Sequence, residues 1–296
     1  MEVAKMPITR DEVTLYTTQY RSVYDMLPQD KGSKLLKYVS IETGLKGESA
    51  VPADQIGKTE VNEDNTVFGD SPYNNVATAR RWYRPRKFNW GHPFPDDDKV
   101  RMIGDPQNAI AVSARNAFGR KLDDVIVESF FAQNRTGKDG ETLTSFDSNN
   151  IIAHGDAGFT VEKLLAAKER YRNLDVDIDN ERPVVILSPK AERQLFKQTE
   201  YVSGDYGKPV MDDGKIKSFL GFDFVIMNRL PEASNIRSCP VFVKSAVGVG
   251  FWKDLKIELD KRPDKQYVWY LYMEQMYSAT RLYEEGCLNI QVKETA

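Results

Sequence analysis

The longest run of helical patterning lies between Asp105 and Asn134, DPQNAIAVSARNAFGRKLDDVIVESFFAQN. Ile110, Ala114, Ala117, Phe118, Leu122 and Val125 recur at three- and four-residue spacing, which predicts one apolar face on a helix. Ile126 and Phe130 extend the series by four-residue steps, so the stripe drifts slowly around the cylinder. Arg115, Arg120, Lys121, Asp123, Asp124 and Glu128 supply the polar side. Asp105 is placed to cap the first turn, and Pro106 falls at the first helical position, where its missing N–H costs nothing. At 1.5 Å per residue such a helix reaches about 40 Å, and Thr136, Gly137 and Gly140 are placed to end it. It reads either as an ordinary core helix or as a strut that carries a flat, extended subunit.

Ahead of this helix the patterning is thinner. Residues 10–26 fit one amphipathic helix, with Val13, Tyr16, Tyr20, Val23 and Tyr24 on its apolar side. LLKYVSIETGLKG (35–47) alternates at Leu36, Tyr38 and Ser40, a strand signal. About forty residues without a dense apolar pattern follow, interrupted by Pro52, Gly57, Gly69 and Pro72 and carrying an acidic cluster over 60–64. VATARRWYRPRKFNW (76–90) then reads as a returning strand rich in arginine and aromatic residues. A segment this long with no core of its own is unusual unless it is functional or packs on another chain.

After the helix, FTVEKLLAAKERYRN (159–173) reads as a second helix with Thr160 as N-cap, RPVVILS (182–188) as a buried strand, and Pro189 as the start of a third helix, PKAERQLFKQ. FLGFDFVIMNRLP (219–231) reads as a strand stopped by Pro231. VFVKSAVGVGFW, LKIELDKR, YVWYLYMEQMYSATRLYE and CLNIQVKE complete a β-rich end. The fold class is α+β, without internal repeats.

Composition narrows the function classes. The 296 residues are 41% apolar and 29% charged, with a formal charge of −3, which gives no global attraction for nucleic acid or anionic membranes. No apolar run is long enough to span a bilayer, and MEVAKMPITRDEV lacks the apolar stretch of a signal peptide. Cys239 and Cys287, far apart and without ligand spacing, suit two reduced, packed thiols in a cytosolic setting.

Candidate chemistry is sparse. There is no Gly-x-Ser-x-Gly elbow, His-Glu-x-x-His, Walker A or paired Cys-x-x-Cys motif, and no catalytic, cofactor or metal site is expected. Gly248-x-Gly250 lacks its third glycine and reads as a turn. His92 and His154 read as isolated loop residues. Asp96, Asp97 and Asp98 form an oxygen-rich run that suits a hard cation but reads better as a solvated loop. Asp175, Asp177 and Asp179 read as a connecting segment. The basic-aromatic stretch Arg80, Arg81, Trp82, Arg84 and Arg86 has the residue types of single-strand binders and of protein interfaces. With no second basic patch, the interface reading is preferred. Alternation would put Arg80, Trp82, Arg84 and Arg86 on one face, opposite carboxylates of a neighbouring chain: Asp96–Asp98 or Glu60, Glu63 and Asp64.

Three segments together carry a family resemblance: the helix centred on GRKLDD (119–124), the helix–strand–Pro–helix run FTVEKLLAAKERYRN…PVVILSPKAERQLF, and GKIKSFLGFDFVIMNRLP (214–231). In this order the chain resembles the major capsid protein of tailed bacteriophages, the Hong Kong 97 (HK97-like) type of shell fold. The resemblance implies an N-terminal arm (1–34) and an extended loop (35–92, its reach over about 45–90). It also implies a peripheral domain (93–139 and 250–285) with a spine helix at 107–133, and an axial domain (140–249 and 286–296). The implied function is self-assembly into pentamers and hexamers of an icosahedral shell around double-stranded DNA, bound without sequence specificity. The virion would be built in the host cytoplasm, away from membranes, with a separate scaffolding protein, a portal and decoration proteins as partners. The alternatives are an encapsulin-like cellular compartment shell and a nucleic-acid-binding module.

Overall fold

The computed structural model describes residues 29–47, 51–59, 61, 63, 73–94, 106–198, 211, 212, 215, 216 and 218–294. The expected helix over 10–26, the cap Asp105 and the Asp96–Asp98 run lie outside them. In chain order the strands and helices are β1 Ser40–Glu42, β2 Val51–Ile56, β3 Thr78–Tyr83, β4 Arg86–Phe94, α1 Pro106–Phe131, β5 Asn134–Thr136, β6 Thr142–Thr144, β7 Ile151–Ile152, α2 Val161–Asn173, β8 Val184–Leu187 and α3 Pro189–Phe196. There follow β9 Met211–Asp212, β10 Lys215–Ile216, β11 Ser218–Phe219, β12 Phe222–Ile226, β13 Glu232–Ala233, β14 Ile236–Phe242, β15 Val247–Arg262, β16 Val268–Arg281 and β17 Cys287–Lys293. The chain divides into two units. One holds the described residues of Met1–Ser33 with Lys87–Lys121 and Lys253–Met276, and the other holds Lys34–Arg86, Leu122–Trp252 and Tyr277–Ala296.

In the first unit, β15, β16 and β4 lie side by side. Period-two alternation puts Phe88, Trp90 and Phe94 of β4 and Trp269, Leu271 and Met273 of β16 on one face, against Ile110, Ala111, Ala114 and Phe118 of α1. His92 belongs to this strand face and not to a loop, because it stacks 6.0 Å from Trp90 and edge-on 4.9 Å from Phe94. Residues at the end of the arm segment meet α1 here. Gln29 accepts from Arg120 Nη1 at 2.9 Å, and a Cβ on Gly119 would stand 2.3 Å from the Gly32 carbonyl carbon.

Glu274 is the charged centre of this unit. Lys253 hydrogen-bonds one carboxylate oxygen, while Lys87 at 2.9 Å and the Tyr272 hydroxyl at 3.2 Å reach the other. The Lys253 hydrogen bond, then that of Lys87, holds its pKa down at about 2 against an ordinary 4.5. A depressed carboxyl stabilises the fold above its unfolded value, and that share is lost as pH falls through the folded one. The gap in unfolding midpoint between wild type and Glu274→Gln is therefore expected to be constant above pH 5 and to close between about pH 4.5 and 2. Chemical denaturation across that window checks it, and a gap that stays open at pH 2 would refute it.

In the second unit a sheet runs β11-β12-β8-β14-β17-β7, with β13 beside β14. β8 pairs parallel with β12 and antiparallel with β14, so both its edges are hydrogen-bonded, and all four residues of VVIL are buried. Leu164, Ala167 and Tyr171 of α2 recur at three and four residues and are wholly buried. The Tyr171 hydroxyl donates to Val241 O at 3.0 Å, so the aromatic ring enters the core with its polar tip satisfied. Thr160 caps α2 by accepting from Lys163 N at 3.3 Å, and Ser188 caps α3 by accepting from Ala191 N at 3.0 Å, with Pro189 opening the helix. From α1, Leu122, Val125, Ile126 and Phe130 are buried. Phe130 lies 5.3 Å from Phe146 and 6.0 Å from Phe242. Each such side chain contributes about 1.5–3 kcal/mol by leaving water. Cys239 and Cys287 are free and buried, and burial pushes the Cys239 thiol up to about 12.

Several expectations change. Leu36–Tyr38 is a 3-10 turn, and the strand begins only at Ser40, because Leu35 and Val39 both turn inward at 0% exposure. Gly221, the glycine that allows a tight bend into the alternating strand, makes FLGFDFVIM a hairpin: β11 and β12 pair antiparallel about Leu220 (φ 53°) and Gly221 (φ 90°). Gly248 and Gly250 lie inside β15 and not in a turn. A Cβ at Gly248 would approach the Tyr83 hydroxyl to 2.1 Å, so the glycine admits that ring. α1 stops at Phe131, ahead of Thr136 and Gly137, which enter β5 and the turn after it. Asp123 is not on a solvent face. It is buried, and its oxygens accept from Lys34 N at 3.0 Å and Leu35 N at 3.1 Å.

Candidate subunit interface

The expected two-stranded loop is present. β2 and β3 pair antiparallel from Val51 opposite Tyr83 to Ile56 opposite Thr78, and β5 and β6 extend the sheet to β2-β3-β5-β6. The returning strand does not run unbroken from 76 to 90. β3 ends at Tyr83 and β4 begins at Arg86, because Pro85 has no N–H to continue a ladder. The expected shared face of Arg80, Trp82, Arg84 and Arg86 is therefore cut after Trp82.

Within β3 the alternation holds. Arg81 and Tyr83 are buried, while Arg80 and Trp82 take the more open side. Arg80 stands opposite Asp54 in register, and its Nη2 reaches Asp54 Oδ2 at 3.1 Å. That hydrogen bonding holds Asp54's carboxyl below its ordinary value. Arg81 donates to Leu282 O at 3.3 Å and pairs with Glu284 at 3.2 Å, and burial lowers its pKa against the pull of Glu284. Trp82 Nε1 donates to Gly137 O at 2.8 Å, and its ring packs on Gly140. Tyr83 donates to Glu42 at 3.2 Å; burial first, and Glu42 second, push its pKa upward. Arg86 pairs with Glu128 at 3.0 Å.

Within the chain itself these arginines already have partners. Arg80, Arg81 and Arg86 meet Asp54, Glu284 and Glu128 of their own chain, because the hairpin register and the end of α1 bring those carboxylates within reach first. Arg84 is exposed and has no ion pair among the described residues. Sequence reasoning also missed the root of the loop. Gln55 Nε2 and Arg81 Nε both donate to Leu282 O, and Asn150 Nδ2 donates to Glu284 O at 2.8 Å. Only the Asp54–Arg80 pair carried a usable signal, since an acidic and a basic residue lie opposite each other on the two antiparallel strands of the loop.

Beyond this root the loop carries exposed apolar side chains, Ile56 at 76%, Val61 at 95% and Tyr73 at 89%. The sheet face beside it, bordered by Asp54, Ile56, Arg80, Thr136, Lys138 and Thr144, is a shallow concavity of about 840 Å³. Among the described residues no group of three or more His, Cys, Asp or Glu is arranged to hold a metal ion, and no helix is long and apolar enough to cross a membrane.

A long helix, a loop with no core of its own and a sheet-centred unit with flanking helices together define the Hong Kong 97-type shell subunit. Solved capsids share it. The chain superposes on the capsid protein of cyanophage P-SCSP1u at TM-score 0.71 and 15% identity, covering 94% of each chain. For Ralstonia phage GP4 the values are 0.72 and 11%, with 100% of this chain and 98% of that one covered. For the acid-stable capsid of Helicobacter pylori bacteriophage KHP30 they are 0.71 and 10%, with 99% and 100% covered. No curated protein matches the sequence. A family model described as phage capsid protein matches residues 13–294, and the chain belongs to that family. It is a major capsid protein that forms the shell, a structural component of the virion.

Proposed function

We propose that the protein assembles into pentamers and hexamers of a closed icosahedral shell around double-stranded DNA, with no catalytic activity of its own. The observation that carries this reading is the loop whose root is bonded to its own chain while Ile56, Val61 and Tyr73 stand in solvent. In a segment with no core of its own, such side chains gain burial by packing on another chain. In this reading residues 1–34 are the arm, 35–92 the extended loop, 93–139 with 250–285 the peripheral domain, and 140–249 with 286–296 the axial domain. Assembly takes place in the host cytoplasm with a separate scaffold, a portal and decoration proteins. Arg80, Arg81, Trp82, Arg84 and Arg86 border the subunit contact, and the neighbour's Asp96, Asp97 and Asp98 are the carboxylates offered to it.

Electron microscopy of the protein, alone and co-expressed with its scaffold, tests the shell, and a subunit that stays monomeric under every condition would refute it. Arg84 is the cation left for a neighbour, so Arg84→Glu is expected to weaken assembly while helix content and DNA affinity of the free subunit stay unchanged. Normal shells with reduced DNA binding would assign Arg84 to nucleic acid instead.

A further inference from the structure

The loop is tied to its own chain at two separate points. At the root, Gln55 Nε2 and Arg81 Nε donate to Leu282 O. Farther out, Lys58 Nζ donates to Leu174 O at 2.7 Å and stands 3.8 Å from Asp175 Oδ2. Between the two ties, Gly57 N closes the hairpin on Ala77 O at 2.7 Å. The outer tie ends on a site made by the way α2 stops. Asp175 takes φ 52°, a left-handed conformation that aspartate tolerates. Its N–H turns back to Arg172 O at 3.1 Å, and Val176 N reaches Tyr171 O at 3.0 Å. Those bonds satisfy carbonyls of the last turn, and Leu174 O takes the Lys58 ammonium. A helix C-terminus carries partial negative charge, and Asp175 adds a full one, so a cation is favoured there.

We propose that Lys58 is a positioning residue for assembly, and that its bond to the end of α2 sets the direction in which the loop leaves the subunit. A tie at the root alone fixes where the loop starts and lets it swing. A second tie from Gln55 to Lys58, about 10 Å farther along an extended strand, fixes its line. Ile56, at 76% exposure, lies between the ties, and the segment carrying Val61 continues from the outer one. A loop aimed before any neighbour arrives gives up less freedom on docking, which is how preorganisation strengthens binding. The inference rests on the shell reading, in which the loop packs on another chain. Lys58 and Asp175 are both largely exposed, at 70% and 86%. Contacts of this kind shift an equilibrium by about fivefold at most.

Lys58→Met keeps the aliphatic stem and removes the ammonium. In the free subunit the Gly57 amide is expected to exchange up to about fivefold faster, with an unchanged urea midpoint. The critical concentration for assembly should rise by a similar factor. Asp175→Asn keeps the left-handed turn and should move both readouts the same way by less, and the double variant should match Lys58→Met alone. Lys58→Arg should restore wild-type values. Salt at about 1 M, where screening acts within about 3 Å, should speed exchange at the wild-type Gly57 amide and leave Lys58→Met unaffected. A critical concentration that falls in Lys58→Met would make the tie a brake on assembly, and one that stays the same would make it idle. A rise with unchanged Gly57 exchange in the free subunit would place Lys58 directly against the neighbour. Each of these three results overturns the proposal. Wild type that forms no shell sinks the shell reading and this inference with it, whereas wild-type shells with any of the three results sink this inference alone.

Discussion

Replacing Arg281 with methionine is expected to lower the stability of the unassembled subunit by about 3–5 kcal/mol, the usual loss when one partner of a buried ionic network is removed. The reason lies at the end of α1. The last carbonyls of a helix have no partner within it, and here the turn is buried, with Phe130 at 1% exposure. Arg281, at 0% exposure, fills the gap. Its Nη1 donates to Phe130 O, to Ala132 O at 2.8 Å and to Ser129 O at 3.4 Å, while Nη2 reaches Thr144 O at 3.3 Å. Nε binds Glu284 at 3.1 Å, and the guanidinium lies 5.4 Å from the Phe146 ring. Methionine fills much of the volume but returns none of those bonds. Lysine should recover only part, since an ammonium cannot span the same fork of acceptors. Urea denaturation of the unassembled subunit measures this. A loss below about 1 kcal/mol would mean that water replaces the guanidinium without cost.

Asp123→Ala is expected to cost about 2–4 kcal/mol, from one buried and one half-buried hydrogen bond to a charged acceptor. The carboxylate accepts from consecutive backbone N–H groups at Lys34 and Leu35, and Leu35 is wholly buried. Alanine is the better helix former, so part of the loss returns as propensity. Asn keeps one acceptor oxygen and should fall between. Hydrogen exchange adds a local readout: protection of the Leu35 amide should drop in Asp123→Ala while Val185 and Ile186 in β8 keep theirs until global unfolding. If the Leu35 amide stays as protected as in wild type, another acceptor has taken over and the assignment fails.

Both residues illustrate where the sequence stops being legible. Asp123 sits among Arg120, Lys121 and Asp124, so by pattern it belongs to the polar side of the helix. Its burial depends on a partner about ninety residues away. Arg281 sits in a strand of mixed composition with no helical cap signal near it. The loop fared similarly. The arginines and tryptophan of 80–86 were visible as an unusual cluster, and their partners Glu128 and Glu284 were not. Charge complementarity does not say which carboxylate arrives first. Pro85 was visible too, and its effect on the strand follows from its missing N–H alone.

Local patterning alone predicts the long helix and its buried stripe. It also predicts the helix capped at Thr160, the helix opened by Pro189, the buried β8, and the order of elements by which the capsid family is recognised. These follow from local periodicity and from groups that act within a few residues of themselves. Long-range packing sets the rest: Gly248 makes room for Tyr83, Leu36–Tyr38 coils before its strand, and Arg281 closes the helix across some 150 residues of chain. Such matches depend on which side chains meet after the sheets have formed, and no spacing along the chain encodes that distance.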